Sequence, residues 1–152
     1  YKNLKILLIG QDRGIKKKLE EKLIYYNIYS NFIFYEEINN PEDLYLISDI
    51  SINCSKHEGF SNSILESMSY GLPIVASNVG GNTESVEHNK NGFLFDLDDR
   101  HNFMKFLILL IKEKELRSLF GKNSLEISKK YYNINECINN YKNMYNKILY
   151  NK

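Results

Sequence analysis

The chain has no tryptophan, two prolines and two cysteines. Each scarcity excludes something. Cys54 lies in an apolar run and Cys137 in a late helical pattern, a pair without metal-ligand spacing and too few for a disulfide framework, which points to a reducing, cytoplasmic setting. Charge of one sign is also missing: 20 Lys and Arg stand against 19 Asp and Glu, so nothing marks nucleic acid as a partner. No apolar run approaches the roughly 18 residues of a membrane-spanning helix, and no charged-then-apolar leader opens the chain. A soluble protein with no membrane span is expected. Repeats and low-complexity linkers are lacking, and 152 residues is the size of one domain, read here as 1–152 undivided. The start at Tyr1 rather than Met, a few residues before an apolar strand, reads as a piece of a longer protein.

What is present is an alternation of apolar runs and amphipathic stretches. Leu4 to Ile9 is continuously apolar and closed by Gly10, the pattern of a parallel strand buried on both faces. From Ile15 to Tyr26, Ile15, Leu19, Leu23 and Ile24 recur at helical spacing, with a charged, solvated face opposite. Phe32 to Tyr35 reads as a second strand. Asn40, Pro41, Glu42 and Asp43 form an N-cap and proline-first start of a short helix running to about Ser48. Asp49 to Cys54 supplies a third strand. The next helix ends at Gly71, and Pro73 prevents its continuation. Ile74 to Ser77 makes a fourth strand, Gly80 and Gly81 a turn, Asn82 or Thr83 the cap of one helical turn, and Phe93 to Phe95 a further strand. Asp98 is expected to cap a helix bearing Phe103, Phe106, Leu107 and Leu110, and Leu116 to Lys130 and Ile134 to Tyr150 read as two more. Strict alternation predicts an α/β fold, a Rossmann-like parallel sheet of at least five strands with helices on both faces, ending in several helices.

The chemistry concentrates between Ser55 and Phe95. Glu58 and Glu66 stand with seven residues between them, the first in a polar loop, the second in the helical pattern of Ile64, Leu65 and Met68. Loop and helix start therefore meet between two carboxylates. A helix N-terminus presents unpaired N–H groups and a positive dipole end that favour a phosphate. A carboxylate in the first turn can accept from two neighbouring hydroxyls, as on a ribose. Taken alone, Ser63 to Glu66 also fits a capping box, in which the glutamate reaches back to its own helix start. Glu58 alone reads as an exposed loop acid. His57, His88 and His101 have no second ligand at useful spacing, so no metal is predicted. No other cofactor is expected.

At these residues the segment resembles the C-terminal, donor-binding half of a retaining, family 4 type (group 1) glycosyltransferase of the GT-B fold. The resemblance is carried by Glu58, Gly59, Phe60 and Ser61, by Leu65, Glu66, Ser67, Met68 and Ser69, by Gly71, Pro73, Ile74, Val75 and Ala76, and by Gly80, Gly81, Glu84 and Gly92. Matches in order over about 40 residues are far more specific than a lone glycine motif. It implies that Glu58 is the catalytic carboxylate beside the transferred sugar. The backbone of Gly59, Phe60, Ser61, Asn62 and Ser63 would hold the donor sugar and phosphate, and Glu66 the ribose hydroxyls. Ser61 stands where the family usually has glycine, and Phe60 reads as a packing residue. The loop Glu36, Glu37 and Ile38 would grip the base, and Gly80, Gly81 and Glu84 would lie near the donor. The implied donor is a UDP-, GDP- or ADP-sugar, and the acceptor a glycan or lipid-linked hydroxyl bound by an N-terminal domain absent from these residues.

That absent part would include a further strand and helix carrying an Arg and a Lys that neutralise the diphosphate; Gly10 to Arg13 do not occupy the equivalent place. The resemblance also implies that both glutamates face one cleft and that the last helix, with Tyr141, Met144, Tyr145 and Ile148, reaches back to the absent domain. A cytoplasmic protein, with peripheral association at the inner face of the membrane as an option for the full-length form, is the matching expectation. Two other readings stay open: a GT-B fold sugar nucleotide epimerase, and a receiver-like binding module, for which Asp12 would be the acidic residue after the first strand.

Overall fold

The computed structural model describes residues 3–36, 38 and 40–150. The chain divides into two compact units, one running to Glu42 and the other from Asp43. In the first, Ile6–Ile9 (β1), Lys16–Tyr25 (α1) and Phe32–Tyr35 (β2) form a strand, helix, strand unit. Its strands run parallel, in register from Ile6 opposite Phe32 to Ile9 opposite Tyr35. Leu23 is the buried residue of α1, and Ile15 and Ile24 of the expected apolar face are exposed. Asp12 starts this helix: its Oδ1 accepts the backbone N–H of Gly14, Ile15 and Lys16 at 2.9, 2.9 and 3.0 Å. Those bonds, the one from Lys16 foremost, hold its carboxyl below the ordinary aspartate range. Asp12 thus holds the turn that leads into α1, and the receiver-like reading loses its acid to a structural task.

The second unit contains Glu42–Ile47 (α2), of which Glu42 closes the first unit, then Ser51–Asn53 (β3), Asn62–Ser69 (α3), Ile74–Ser77 (β4), Asn82–Ser85 (α4), Gly92–Phe95 (β5), Arg100–Lys112 (α5), Lys114–Tyr131 (α6) and Ile134–Tyr150 (α7). β4 lies in the middle of a three-stranded parallel sheet, with Ser51 opposite Ile74 on one side and Ile74 opposite Gly92 on the other. All four β4 residues are buried. Because successive side chains leave a strand on opposite faces, Ile74 and Ala76 join Ile64 and Met68 of α3, Val86 and Ile127. Val75 joins Phe93, Phe95, Leu110 of α5 and Phe120 on the other face. α6 serves both clusters, through Ile127 and Phe120. A sheet apolar on both faces needs helices on both, which is why the strand reads as an unbroken apolar run. Each aliphatic or aromatic side chain buried there contributes about 1.5–3 kcal/mol.

Two expectations need correction. Strand pairing runs as β1–β2 and as β3–β4–β5, two parallel ladders rather than one of five strands. Alternation of strands and helices fixes the parallel sense but does not decide which strands are neighbours. The α5 cap is Asp99, not Asp98: its Oδ1 accepts the N–H of Asn102 at 2.9 Å. Adjacent aspartates are equivalent in sequence, and only the turn geometry separates them.

The remaining α5 and α6 contacts fix the helical third. Arg117 donates to the Leu110 and Ile111 carbonyls at the end of α5, the position where a cation also complements the helix dipole. α6 crosses α3 closely at Gly121, where an added Cβ would collide with the Gly71 carbonyl. Gly71 itself ends α3 with φ at 71°, as the sequence leads one to expect. α7 has no buried residue.

Candidate functional site

The loop from β3 to α3 is held from below by side chains that the sequence motif does not include. Asn53, the last residue of β3, donates to the Ser61 hydroxyl at 3.1 Å and accepts the Ser55 N–H at 3.0 Å. Asn82, wholly buried at the start of α4, donates to Asn53 Oδ1 at 3.5 Å and to the Ser77 carbonyl at 3.0 Å. Ser77 in turn donates to the Ser55 carbonyl at 2.7 Å. Asparagine and serine at strand ends thus close a polar network under the loop, where burial makes each bond matter. Asn82 Oδ1 has no hydrogen-bond partner among the described residues.

The glycine pair completes the support. Gly81 donates its N–H to the Glu58 carbonyl at 3.2 Å. A Cβ on Gly80 would collide with that same carbonyl, and one on Gly81 with the Gly59 carbonyl and, at 2.9 Å, with the Phe60 Cα. Gly80 also has φ at 44°, which favours glycine. The close backbone approach, rather than a turn alone, is what these two positions require. Glu84, exposed in α4, offers its carbonyl to the Tyr132 hydroxyl at 2.9 Å. Tyr132 also packs against Phe60, rings 5.7 Å apart, consistent with a packing role for Phe60.

Ser61 is the N-cap position of α3, with φ −86° and ψ 102°. That backbone is ordinary for a residue with a side chain, so serine replaces the family's glycine without strain. Its hydroxyl lies 3.0 Å from that of Ser63 and makes no cap bond to the helix. The first α3 N–H groups, at Asn62 and Ser63, are among those that no helical carbonyl can reach. Asn62 and Ser63 are exposed, Ser61 is buried, and Glu58 is half-buried.

With the cap at Ser61, Glu66 falls in the second turn of α3, not the first, and the capping box of Ser63 with Glu66 does not form. Its carboxylate instead accepts from Tyr45 of α2, Oη to Oε2, at 2.8 Å. Partial burial first, and the Glu66 carboxylate second, raise the Tyr45 phenol above its ordinary value. Nothing in the spacing of residues 45 and 66 signals this pair. Of the suggested base-binding loop, Glu36 pairs with Lys16 at 2.5 Å, Ile38 is half-buried, and Glu37 lies outside the described residues.

His88 is structural: its Nδ1 accepts the Leu94 N–H at 3.1 Å, and its ring meets Phe93 and Phe106 edge-on. Among the described residues, no three His, Cys, Asp or Glu side chains are grouped to hold a metal ion. Cys54 and Cys137 are free thiols. No helix of the described residues is long and apolar enough to cross a membrane.

The family model for "Glycosyl transferases group 1" matches residues 1–126. The chain is similar to the Escherichia coli UDP-Gal:alpha-D-GlcNAc-diphosphoundecaprenol alpha-1,3-galactosyltransferase, 31% identical over 75% of this chain and 29% of that protein. It is also similar to the C-terminal domain of a Francisella tularensis glycosyl transferase group 1 family protein, with 26% identity and a TM-score of 0.79, covering 88% of this chain and 72% of that one. Anabaena HepE, solved with UDP-glucose, shares the fold at 22% identity and a TM-score of 0.79, covering 86% of this chain and 37% of that one. The chain spans about a third of the length of the curated relatives it matches, 32% and 36% in two of them.

Proposed function

The chain belongs to the glycosyl transferases group 1 family, and from that premise we propose that residues 1–152 are a single donor-binding half of a longer glycosyltransferase. A sugar moves from a nucleotide diphosphate sugar to an acceptor hydroxyl with retention of configuration, in surface polysaccharide or glycan assembly. The acceptor, a glycan or lipid-linked molecule, is bound by a preceding domain. The observation that carries the reading is the segment between Glu58 and Glu66. It joins a half-buried carboxylate, an uncapped start of α3 and a second carboxylate on that same helix.

In this reading Glu58 faces the transferred sugar. The backbone of Gly59 to Ser63 binds the sugar and the distal phosphate, and Glu66 accepts from the ribose hydroxyls. The positive end of α3 stabilises the departing diphosphate without a bound metal, by fixed dipoles rather than by a mobile charge. Gly80 and Gly81 act by letting the Glu58 loop seat closely, with Glu84 behind them. The base-binding role that the resemblance gives Glu36, Glu37 and Ile38 remains part of this proposal. The UDP and UDP-glucose in the HepE structures, and the UDP-Gal in the name of the Escherichia coli relative, make a uridine diphosphate sugar the first donor to try.

Calorimetric titration with UDP, GDP and ADP tests this. A few charge-assisted hydrogen bonds, less the cost of immobilising the ligand, give an affinity on the order of 0.1–1 mM. Glu66→Gln weakens it about tenfold. Without an acceptor site the 152 residues transfer no sugar, because nothing orients the attacking hydroxyl. No binding by any of the three nucleotides, or steady sugar transfer by this chain alone, would overturn the donor-half reading.

A further inference from the structure

A hydrogen bond to the Glu66 carboxylate comes from outside the glutamate motif. We propose that Tyr45 is a positioning residue, which holds the Glu66 carboxylate in the pose that accepts the ribose hydroxyls of the nucleotide. This rests on the reading of Glu66 as the ribose-binding carboxylate. The geometry supports it in two ways. The Tyr45 hydroxyl donates to Glu66 Oε2 at 2.8 Å, a charge-assisted bond of the stronger kind. The Tyr45 ring also stacks on Tyr70, centroids 5.4 Å apart and planes 19° from parallel.

Glu66 and Tyr70 are four residues apart at the end of α3, so they share one face of the helix. Tyr45 therefore grips that face at two points, ring on ring and hydroxyl on carboxylate. A glutamate on an exposed helix surface samples several rotamers, and ordering it on ligand binding costs affinity. With one oxygen already engaged, the side chain is ordered before the nucleotide arrives. In this reading the other oxygen accepts from the ribose. The phenol stays a donor throughout the neutral range, since partial burial and the neighbouring carboxylate both raise its titration.

A structural clamp and a positioning residue differ in what they do to ribose recognition. The test titrates UDP and 2′,3′-dideoxyuridine diphosphate onto the wild-type chain, Tyr45→Phe, Glu66→Gln and the double variant, with a thermal melt of each. Tyr45→Phe keeps the ring and removes only the donor. It is expected to weaken UDP about three- to tenfold while leaving the dideoxy ligand unchanged, and to add no loss on top of Glu66→Gln. Equal weakening of both ligands, full discrimination retained by Tyr45→Phe, or failure of that variant to fold would each overturn the positioning role. Discrimination that survives in Glu66→Gln overturns the ribose reading itself. If Glu66→Gln loses discrimination and Tyr45→Phe does not, the ribose reading stands and only the Tyr45 proposal falls.

Discussion

The N–H of Gly81 and the carbonyl of Glu58 are joined at 3.2 Å, so the glycine loop after β4 and the carboxylate loop after β3 meet backbone to backbone. A side chain at either glycine pushes the Glu58 loop outward. Gly81→Ala should destabilise the chain by about 1–3 kcal/mol, as overpacking does. It should also weaken nucleotide binding, because the loop it displaces leads into α3. Urea melts and UDP titration of the variant check both. A Gly81→Ala chain with wild-type stability and affinity would show that the loop yields at no cost.

Much of this was legible in the sequence, and the exceptions have physical causes. Phe32–Tyr35 and Ile74–Ser77 emerge as strands with the bounds read from their apolar runs, and α7 likewise. Gly71 and Pro73 punctuate α3 where expected, because φ freedom and a missing N–H are local properties. What failed turned on local turn geometry or on contacts between residues distant in sequence. Glu66 lies in the second turn of α3 rather than the first, Asp99 rather than Asp98 caps α5, and five strands divide into two ladders. Tyr45, Asn53 and Asn82 belong to no motif, and only the packing of α2, β3 and α4 brings them to the site.

Asn82 offers a sharper test of the polar network. Its Nδ2 faces three acceptors, the Ser77 carbonyl, the Ser77 hydroxyl and Asn53 Oδ1. Asn82→Ala removes the donor that these three acceptors share and should cost about 1–3 kcal/mol. Asn82→Asp puts a carboxylate against oxygen atoms and should cost more, about 3–5 kcal/mol at neutral pH. The excess should shrink in acid, where a protonated carboxyl can donate. Denaturation at two pH values distinguishes the variants, and an aspartate as stable as the alanine would mean that water reaches the network.

Asp99 makes a pH prediction whose sign follows from its cap. The Asn102 N–H, and then the Asn102 side chain, hold its carboxyl below the ordinary value of 3.8. A depressed folded-state value stabilises the fold above the unfolded value, and that contribution is lost as pH falls through the folded one. Asp99→Asn keeps a capping oxygen but does not titrate. The wild-type advantage in melting temperature over Asp99→Asn should therefore shrink from about pH 5 to about pH 3. A difference independent of pH would remove the charge from the cap's role.

The last helix separates stability from association. Ile134, Ile138, Tyr141, Tyr145 and Ile148 follow one another at spacings of four and three residues, the seam of a helix that packs along its length. Yet every one is exposed, from 43% at Ile138 to 68% at Ile134. Residues without burial contribute little to folding, so Tyr145→Gln with Ile148→Gln should leave the chain's stability within about 0.5 kcal/mol of wild type. Ile64→Ala, in the layer between α3 and β4, should cost about 2–5 kcal/mol. Glutamine is a good helix former, so propensity does not blur the contrast. Urea melts of both variants decide. A double glutamine variant that loses more than about 1 kcal/mol would show that the α7 stripe is part of this chain's own core.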